Sequence, residues 1–114
     1  MWYDLFRDRA IVNFGNESFG VTFTHWGRRG RSWSFRWDNV ITIDAVLIET
    51  ACFEFRYVFQ SSAGQSNFVS DDMENWSAFE DAIRRRFPDF NWSNVEATKR
   101  YENRNTAFNC WKRS

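Results

Sequence analysis

A change in the spacing of apolar residues near position 71 most constrains how this chain can fold. From residue 9 to residue 70, apolar side chains recur at every second position, the spacing that places them on one face of a β-strand. Gly15-Asn16, residues 27–30 and residues 61–64 interrupt the alternation with turn-forming residues. We therefore predict six consecutive strands, at residues 10–14, 19–23, 31–37, 40–48, 53–59 and around 67–69, of which the first two form a hairpin.

Two of these segments indicate where the core lies. Residues 40–48 are apolar on both faces except at Thr42 and Asp44, as expected for a central strand. In residues 31–37 the aromatic side chains share one face, opposite two serines and Arg36. We expect the rings of this face to be in the core: Trp33, Phe35 and Trp37.

Beyond residue 71 the apolar positions follow helical spacing. They predict an amphipathic helix over about 73–86 that stops before Pro88. Asp71 and Glu74 resemble a capping box at its start. Three arginines, 84–86, suit the negative end of the helix dipole, and we interpret them as a solvated helix end rather than a nucleic-acid site. A short helix near 93–100 and an extended segment at 107–111, packed back on the sheet, complete the chain.

The predicted fold class is α+β. Six strands followed by a helix suggest an antiparallel meander or partly closed barrel, with one amphipathic helix and a packed C-terminal segment. A pleckstrin-homology-like barrel is the known architecture closest to this order, and it is an analogy that fixes no function. The length of 114 residues fits a single domain spanning 1–114.

Charge and composition exclude several classes of protein. The chain has 15 basic and 15 acidic residues, so a general attraction to phosphate backbones or membrane surfaces is absent, and we do not expect nucleic acid as a partner. Aromatic residues make up 20%, which excludes disorder. No stretch approaches a membrane span, and residues 1–8 lack the apolar run of a signal peptide. We expect a cytoplasmic location.

The supply of catalytic residues is poor. His25 is the sole imidazole, and a nucleophilic pair would have to bring it against Cys52 or Cys110. Both cysteines lie in aromatic runs, where a buried, inert thiol is the usual outcome, and their spacing does not require a disulfide. The chain contains none of the common phosphate-binding, zinc-protease or serine-hydrolase motifs. We therefore expect no enzyme activity, no cofactor and no metal.

Residues 26–37 carry the most informative local pattern, because four arginines and three tryptophans occur there without an acid. Arginines interleaved with rings can hold a phosphate and stack a base, or they can form the centre of a protein interface. The simpler interpretation places three arginines on an exposed hairpin tip, balanced by acids around 71–81. The predicted partner-binding residues are Trp26, Arg28, Arg29, Arg31 and Arg36.

The chain resembles, over about residues 19–113, a widespread family of short, uncharacterised bacterial proteins. The resemblance rests on Trp37-Asp38-Asn39-Val40, on Phe79 to Ile83 with Phe87-Pro88-Asp89-Phe90, and on the ending Glu102 to Arg113, with its Asn and Phe-x-Cys-Trp-basic pattern. Asn109 and Asp89 depart from that pattern, where the family often has Leu and Gly. The resemblance implies a small cytoplasmic protein similar to the immunity proteins of bacterial toxins.

Three functions follow from these observations as hypotheses. The first is an immunity protein that neutralises a cognate protein toxin by occluding its active site. The second is an anion-binding module that holds a phospholipid head group or nucleic acid through residues 28–36. The third is a structural subunit of an oligomer, and the sequence leaves the oligomeric state open.

Overall fold

The computed structural model describes residues 9–25 and 28–114, except for the side chains of His25 and Arg29. Within these ranges the chain forms seven strands and two α-helices. The strands are β1 (Arg9–Phe14), β2 (Ser18–His25), β3 (Arg28–Arg36), β4 (Val40–Glu49), β5 (Phe53–Ser61), β6 (Ser66–Ser70) and β7 (Phe108–Lys112). The helices are α1 (Trp76–Arg86) and α2 (Trp92–Thr98), and short 3-10 turns cover Trp37–Asn39 and Tyr101–Asn103.

The strands form two antiparallel sheets. One has three strands in the order β1-β2-β3, and the other has four in the order β6-β5-β4-β7. The apolar strand β4 lies between β5 and β7, as its sequence predicts, because a strand with two apolar faces is stable only where both are covered. The C-terminal segment returns to pair with β4, with Ala45 opposite Phe108, which confirms that it packs on the sheet.

The mostly β architecture with helices is therefore as predicted, but the sheets do not close into a barrel. In the described part of the chain, no ladder joins β3 to β4, where Trp37–Asn39 forms a 3-10 turn. Among the described residues, the β-pairing between the first three strands and the rest of the chain is instead a single parallel bridge from Ile11 in β1 to Glu74. A barrel needs a continuous hydrogen-bonded circuit, which one bridge does not supply.

Aromatic rings join the two sheets and α1 into one core. Phe19 of β2 is at the centre, with its ring 4.3 Å from that of Trp37, 4.7 Å from that of Phe59 and 5.7 Å from that of Phe79. Phe35 and Trp37 are buried and Trp33 is half-buried, so the expectation that the aromatic face of residues 31–37 lies in the core is confirmed.

The start of α1 corrects the predicted capping box. The helix begins at Trp76 rather than near 73, and Asn75 precedes it in a left-handed conformation with φ 73° and no side-chain cap. The Asp71 carboxylate instead accepts the Phe55 N–H at 3.2 Å. Glu74 donates its N–H to Ala10 O at 2.9 Å. Residues 71–74 therefore form hydrogen bonds with the two sheets and do not form the first turn of the helix.

Candidate functional site

A cleft of about 860 Å³ opens between the ends of the two sheets. One wall comes from β1, β2 and β3, and the other comes from β5, β6 and residues 72–74. The side chains of Phe23, Phe68 and Met73 give it an apolar lining. A cleft that combines an apolar lining with a few polar groups is the common form of a binding site.

Charged groups of both signs surround this lining. Arg9 and Arg31 come from the three-stranded sheet, whereas Glu54, Asp72 and Glu74 come from the opposite wall. Arg9 and Glu74 form an ion pair at 2.8 Å, and both side chains are about half exposed, so the pair orients the groups more than it stabilises the fold. The charge distribution can therefore select an occupant with groups of both signs.

Hydrogen bonds fix the acidic wall. Glu54 accepts two bonds from Arg56, at 2.6 and 2.9 Å, and the Arg56 guanidinium lies 4.0 Å above the Phe68 ring. Ser70 donates its hydroxyl to Asp72 at 2.5 Å. These contacts hold the two carboxylates in defined positions at the cleft, which lowers the entropy lost when an occupant binds.

Asp71 lies beside this wall, in the turn that follows β6. Burial raises the pKa of its carboxyl above the ordinary value, and the negative charges of Asp72 and Glu54 add to that effect. The hydrogen bond from the Phe55 N–H opposes it. Three carboxylates brought close together make this wall the most acidic part of the cleft.

The structure separates the predicted binding residues that it describes. Arg28, Arg31 and Arg36 are exposed in β3, but Arg28 and Arg36 stand at opposite ends of that strand, about 25 Å apart at roughly 3.3 Å per residue. Of the three whose side chains the structure describes, Arg31 is the one that lines the cleft. Trp26 and the side chain of Arg29 lie outside the described residues. The arginines therefore follow an edge of the sheet and do not form one compact patch.

The predicted loop at residues 27–30 is also corrected. Arg28 already belongs to β3 and pairs with His25, so β2 and β3 are joined through residues 26 and 27. An extra residue in β3 places both Gly30 and Arg31 opposite Phe23, which is a β-bulge. A bulge changes the direction of a side chain, and here Arg31 lies in the cleft wall.

Two of the three arginines that end α1, Arg84 and Arg86, contact the rest of the protein. The Arg84 guanidinium lies 3.8 Å above the Trp92 ring, and that of Arg86 lies 4.7 Å from the Trp37 ring. Arg86 also donates to Gly15 O at 3.0 Å and to Asn16 O. These contacts favour a structural role for Arg84 and Arg86 over a nucleic-acid site, and all three arginines of the helix end are exposed, as the sequence predicts.

One exposed aromatic pair was not anticipated from the sequence. Phe53 and Tyr101 are 50% and 59% exposed, with their rings 5.8 Å apart in an edge-to-face arrangement. Arg104 stacks 4.2 Å from the Tyr101 ring and lies 3.3 Å from Glu49. No local signal distinguishes Phe53 from the buried rings of β5, because its exposure results from its place at the first position of the strand.

The two cysteines differ in their environments. Cys110 is buried, which raises its thiol pKa to about 11, with a further contribution from the Asp44 charge. A thiol with so high a pKa is a poor nucleophile near neutral pH. Cys52 is exposed in the β4–β5 turn, which corrects the expectation that both are buried. Both are free, and the β4 residues between Asp44 and Glu49 separate them by about 17 Å, too far for a disulfide.

Two general features of the described residues bear on the site. They contain no group of three or more His, Cys, Asp or Glu side chains placed to hold a metal ion. None of their helices has the length and apolarity needed to cross a membrane.

No protein-family model matches the chain, and neither does any curated protein or solved structure.

Proposed function

We propose that this protein is a non-enzymatic binding protein, and specifically a bacterial immunity protein that neutralises a cognate toxin in the cytoplasm by occluding its active site. The observation that carries the proposal is the cleft, in which Arg31, the Arg9–Glu74 ion pair and the carboxylates of Glu54 and Asp72 surround an apolar lining. The contact residues that we propose are Arg31 and, beside it in β3, Arg28.

The residue types at the surface support a protein partner. Interface centres are rich in arginine and aromatic side chains, and both occur here in exposed positions: Arg28, Arg31 and the pair of Phe53 with Tyr101. The mechanism is steric and electrostatic. Arg31 neutralises an acidic group at the edge of the toxin's active site, and the rest of the surface excludes substrate.

The fold supports a finer proposal about architecture. Sheets of three and four antiparallel strands, with a helix after the sixth strand, favour a pleckstrin-homology-like arrangement. The return of β7 after both helices departs from it. This architecture places loops and strand ends at one rim, where a partner can bind.

The alternative, an anion-binding module for a phospholipid head group or nucleic acid, receives less support. Arg31 shares the cleft with three acidic residues and with Arg9, which is already paired with Glu74, so the cleft does not offer the several converging cations that hold a phosphate. The remaining arginines extend along β3, so they cannot converge on a single anion.

Protection of cells tests the proposed function. Each open reading frame beside the gene is expressed with and without this protein, and the proposal requires that one product is toxic alone and tolerated in its presence. Arg31→Glu is expected to remove the protection. Arg85→Glu makes the same change of charge at an exposed position of α1 and is expected to preserve it.

Binding assays decide between the two functions. Toxicity that the protein does not relieve contradicts the immunity role. Salt-dependent binding to phosphoinositide vesicles or oligonucleotides that is lost in Arg31→Glu instead favours the anion-binding module.

A further inference from the structure

The two sheets have four edges, and two of them are covered by other parts of the chain. At the β1 edge, Glu74 donates to Ala10 O at 2.9 Å and accepts from Val12 N at 3.1 Å. At the β7 edge, Asn91 N donates to Cys110 O at 2.8 Å and the Asn94 side chain donates to Asn109 O at 2.7 Å. These contacts use backbone groups that would otherwise be open to another strand.

The β3 edge is different, and its free backbone groups can be assigned. Trp37 N donates to Glu17 O at 3.0 Å, so the backbone polar groups of Trp37 face β2. Since these groups alternate in direction along an antiparallel strand, those of Ser32, Ser34 and Arg36 face away from β2. All three residues are exposed, and no other described residue makes a hydrogen bond to their backbone.

Among the described residues, the open part of β3 carries few of the usual devices that prevent strand pairing, although Arg36 places one charge there. Natural edges are protected by bulges, prolines, inward-pointing charges or short length. The bulge at Gly30 and Arg31 affects only the first half of this nine-residue strand. Residues 32–36 are regular and contain no proline or lysine. The other open edge, β6, has only five residues.

Charge indicates the chemistry of a strand that would pair here. Residues 18–37, which include all of β2 and β3, contain four arginines and no aspartate or glutamate. Arg36 lies within the regular half of the edge, and Arg28 and Arg31 lie beyond it. An incoming strand with acidic side chains gains from this positive potential, whereas a basic one is repelled.

We propose that the β3 edge binds an extended, acidic segment of a partner protein, which adds to the three-stranded sheet as a fourth strand. The main chain of the segment forms hydrogen bonds with Ser32, Ser34 and Arg36, and its acidic side chains lie beside the arginines. The inference rests on the proposed function, since it identifies how the toxin would be held.

Peptide selection tests the proposal without a known toxin. The full chain is immobilised and used to select from random peptides of about twelve residues, which exceeds the length of a typical strand. We expect enrichment of sequences in which Asp or Glu alternates with β-branched or aromatic residues. Failure to enrich acidic sequences, or enrichment of basic ones, contradicts the proposal.

Proline variants then locate the binding edge. Ser34→Pro removes an N–H that faces away from β2, so the sheet itself keeps its hydrogen bonds. We expect it to weaken binding of the selected peptide by about tenfold, the loss typical of one main-chain hydrogen bond together with the steric cost of the ring. Ser34→Ala, which retains the N–H, is expected to bind like the parent.

A second control uses the other open edge. Ser61 N donates to Gln65 O, so the backbone polar groups of Gln65 face β5. Ser66, the next residue, pairs with Gln60, and its backbone N–H and C=O therefore face away from β5. Ser66→Pro is therefore the same change on β6, and equal weakening by the two proline variants contradicts the assignment to β3. If the selected peptide binds at β3 but the protein does not protect cells, only the immunity role is refuted. If Ser34→Pro still protects cells, only the proposed strand addition is refuted.

Discussion

The Tyr57 hydroxyl donates a hydrogen bond of 2.7 Å to Glu80 Oε2 and so joins the middle of β5 to α1. Tyr57 is fully buried, and its ring stacks on that of Trp76 at 5.3 Å. Burial raises the pKa of the phenol, and the bond to Glu80 raises it further. The tyrosine therefore remains a neutral donor at all ordinary pH values, and the helix is held by both a polar and an aromatic contact.

Removing that hydroxyl should loosen α1. Tyr57→Phe preserves the ring but leaves the half-buried Glu80 carboxylate without its donor, and we expect the free energy of unfolding to fall by about 1–3 kcal/mol. Urea unfolding followed by tryptophan fluorescence measures this change. Tyr101→Phe removes the same group from a ring that is 59% exposed and is expected to have little effect. Equal losses in the two variants would show that the bond to Glu80 contributes nothing.

Gly20 is required by the close approach of β2 and β3. A Cβ at this position would lie 2.0 Å from the backbone oxygen of Trp33, which cannot move without breaking the β2–β3 ladder. Gly20→Ala should therefore cost about 3 kcal/mol or more. At Gly15 nothing lies within 4 Å of the added atom, and Gly15→Ala is expected to change stability by no more than about 0.5 kcal/mol. Thermal unfolding of the two variants, monitored by circular dichroism, makes the comparison.

Asp71 should give stability a measurable dependence on pH. Because burial raises the pKa of its carboxyl in the folded state, folding favours the protonated form. The resulting stability is complete below the unfolded value of about 3.9 and is lost as pH rises through the folded value. Asp71→Asn has no such loss, so its stability relative to the parent should increase as pH rises from about 4 towards neutrality.

Urea unfolding at a series of pH values measures that difference. Asp81→Asn removes one negative charge from the exposed side of α1 and controls for the general effect of net charge. A difference between Asp71→Asn and the parent that stays constant with pH, or that falls as pH rises, would contradict the predicted direction.

The strands and the core followed from local pattern. Alternation places Phe53, Phe55, Tyr57 and Phe59 on one face of β5, and the structure buries the last three but leaves Phe53, the first residue of the strand, 50% exposed. The same logic identified β4 as central and residues 107–111 as returning to the sheet. Such features are predictable because the side-chain period of a strand is set by its backbone and does not depend on distant residues.

The structure corrects those predictions that concern features set by residues far apart in sequence. Asp71 and Glu74 have the spacing of a capping box, but Asp71 is hydrogen-bonded to Phe55 of β5 and Glu74 to Ala10 of β1. The sequence predicts a turn at 27–30 that contains Arg28, because nothing local shows that β3 starts directly after residue 27. Whether an edge is covered depends on residues such as Asn91 and Glu74, which are far from that edge in sequence.

The Gly15 carbonyl receives two donors that come from very different places in the chain. The Trp37 indole N–H reaches it at 2.9 Å across 22 residues, and Arg86 reaches it at 3.0 Å across 71. This acceptor is in position only after the β1–β2 hairpin has formed. We therefore expect α1 to dock late in folding, after the local hairpins have formed. Closure of the chain between Gly15 and Arg86 is expected to set the folding rate.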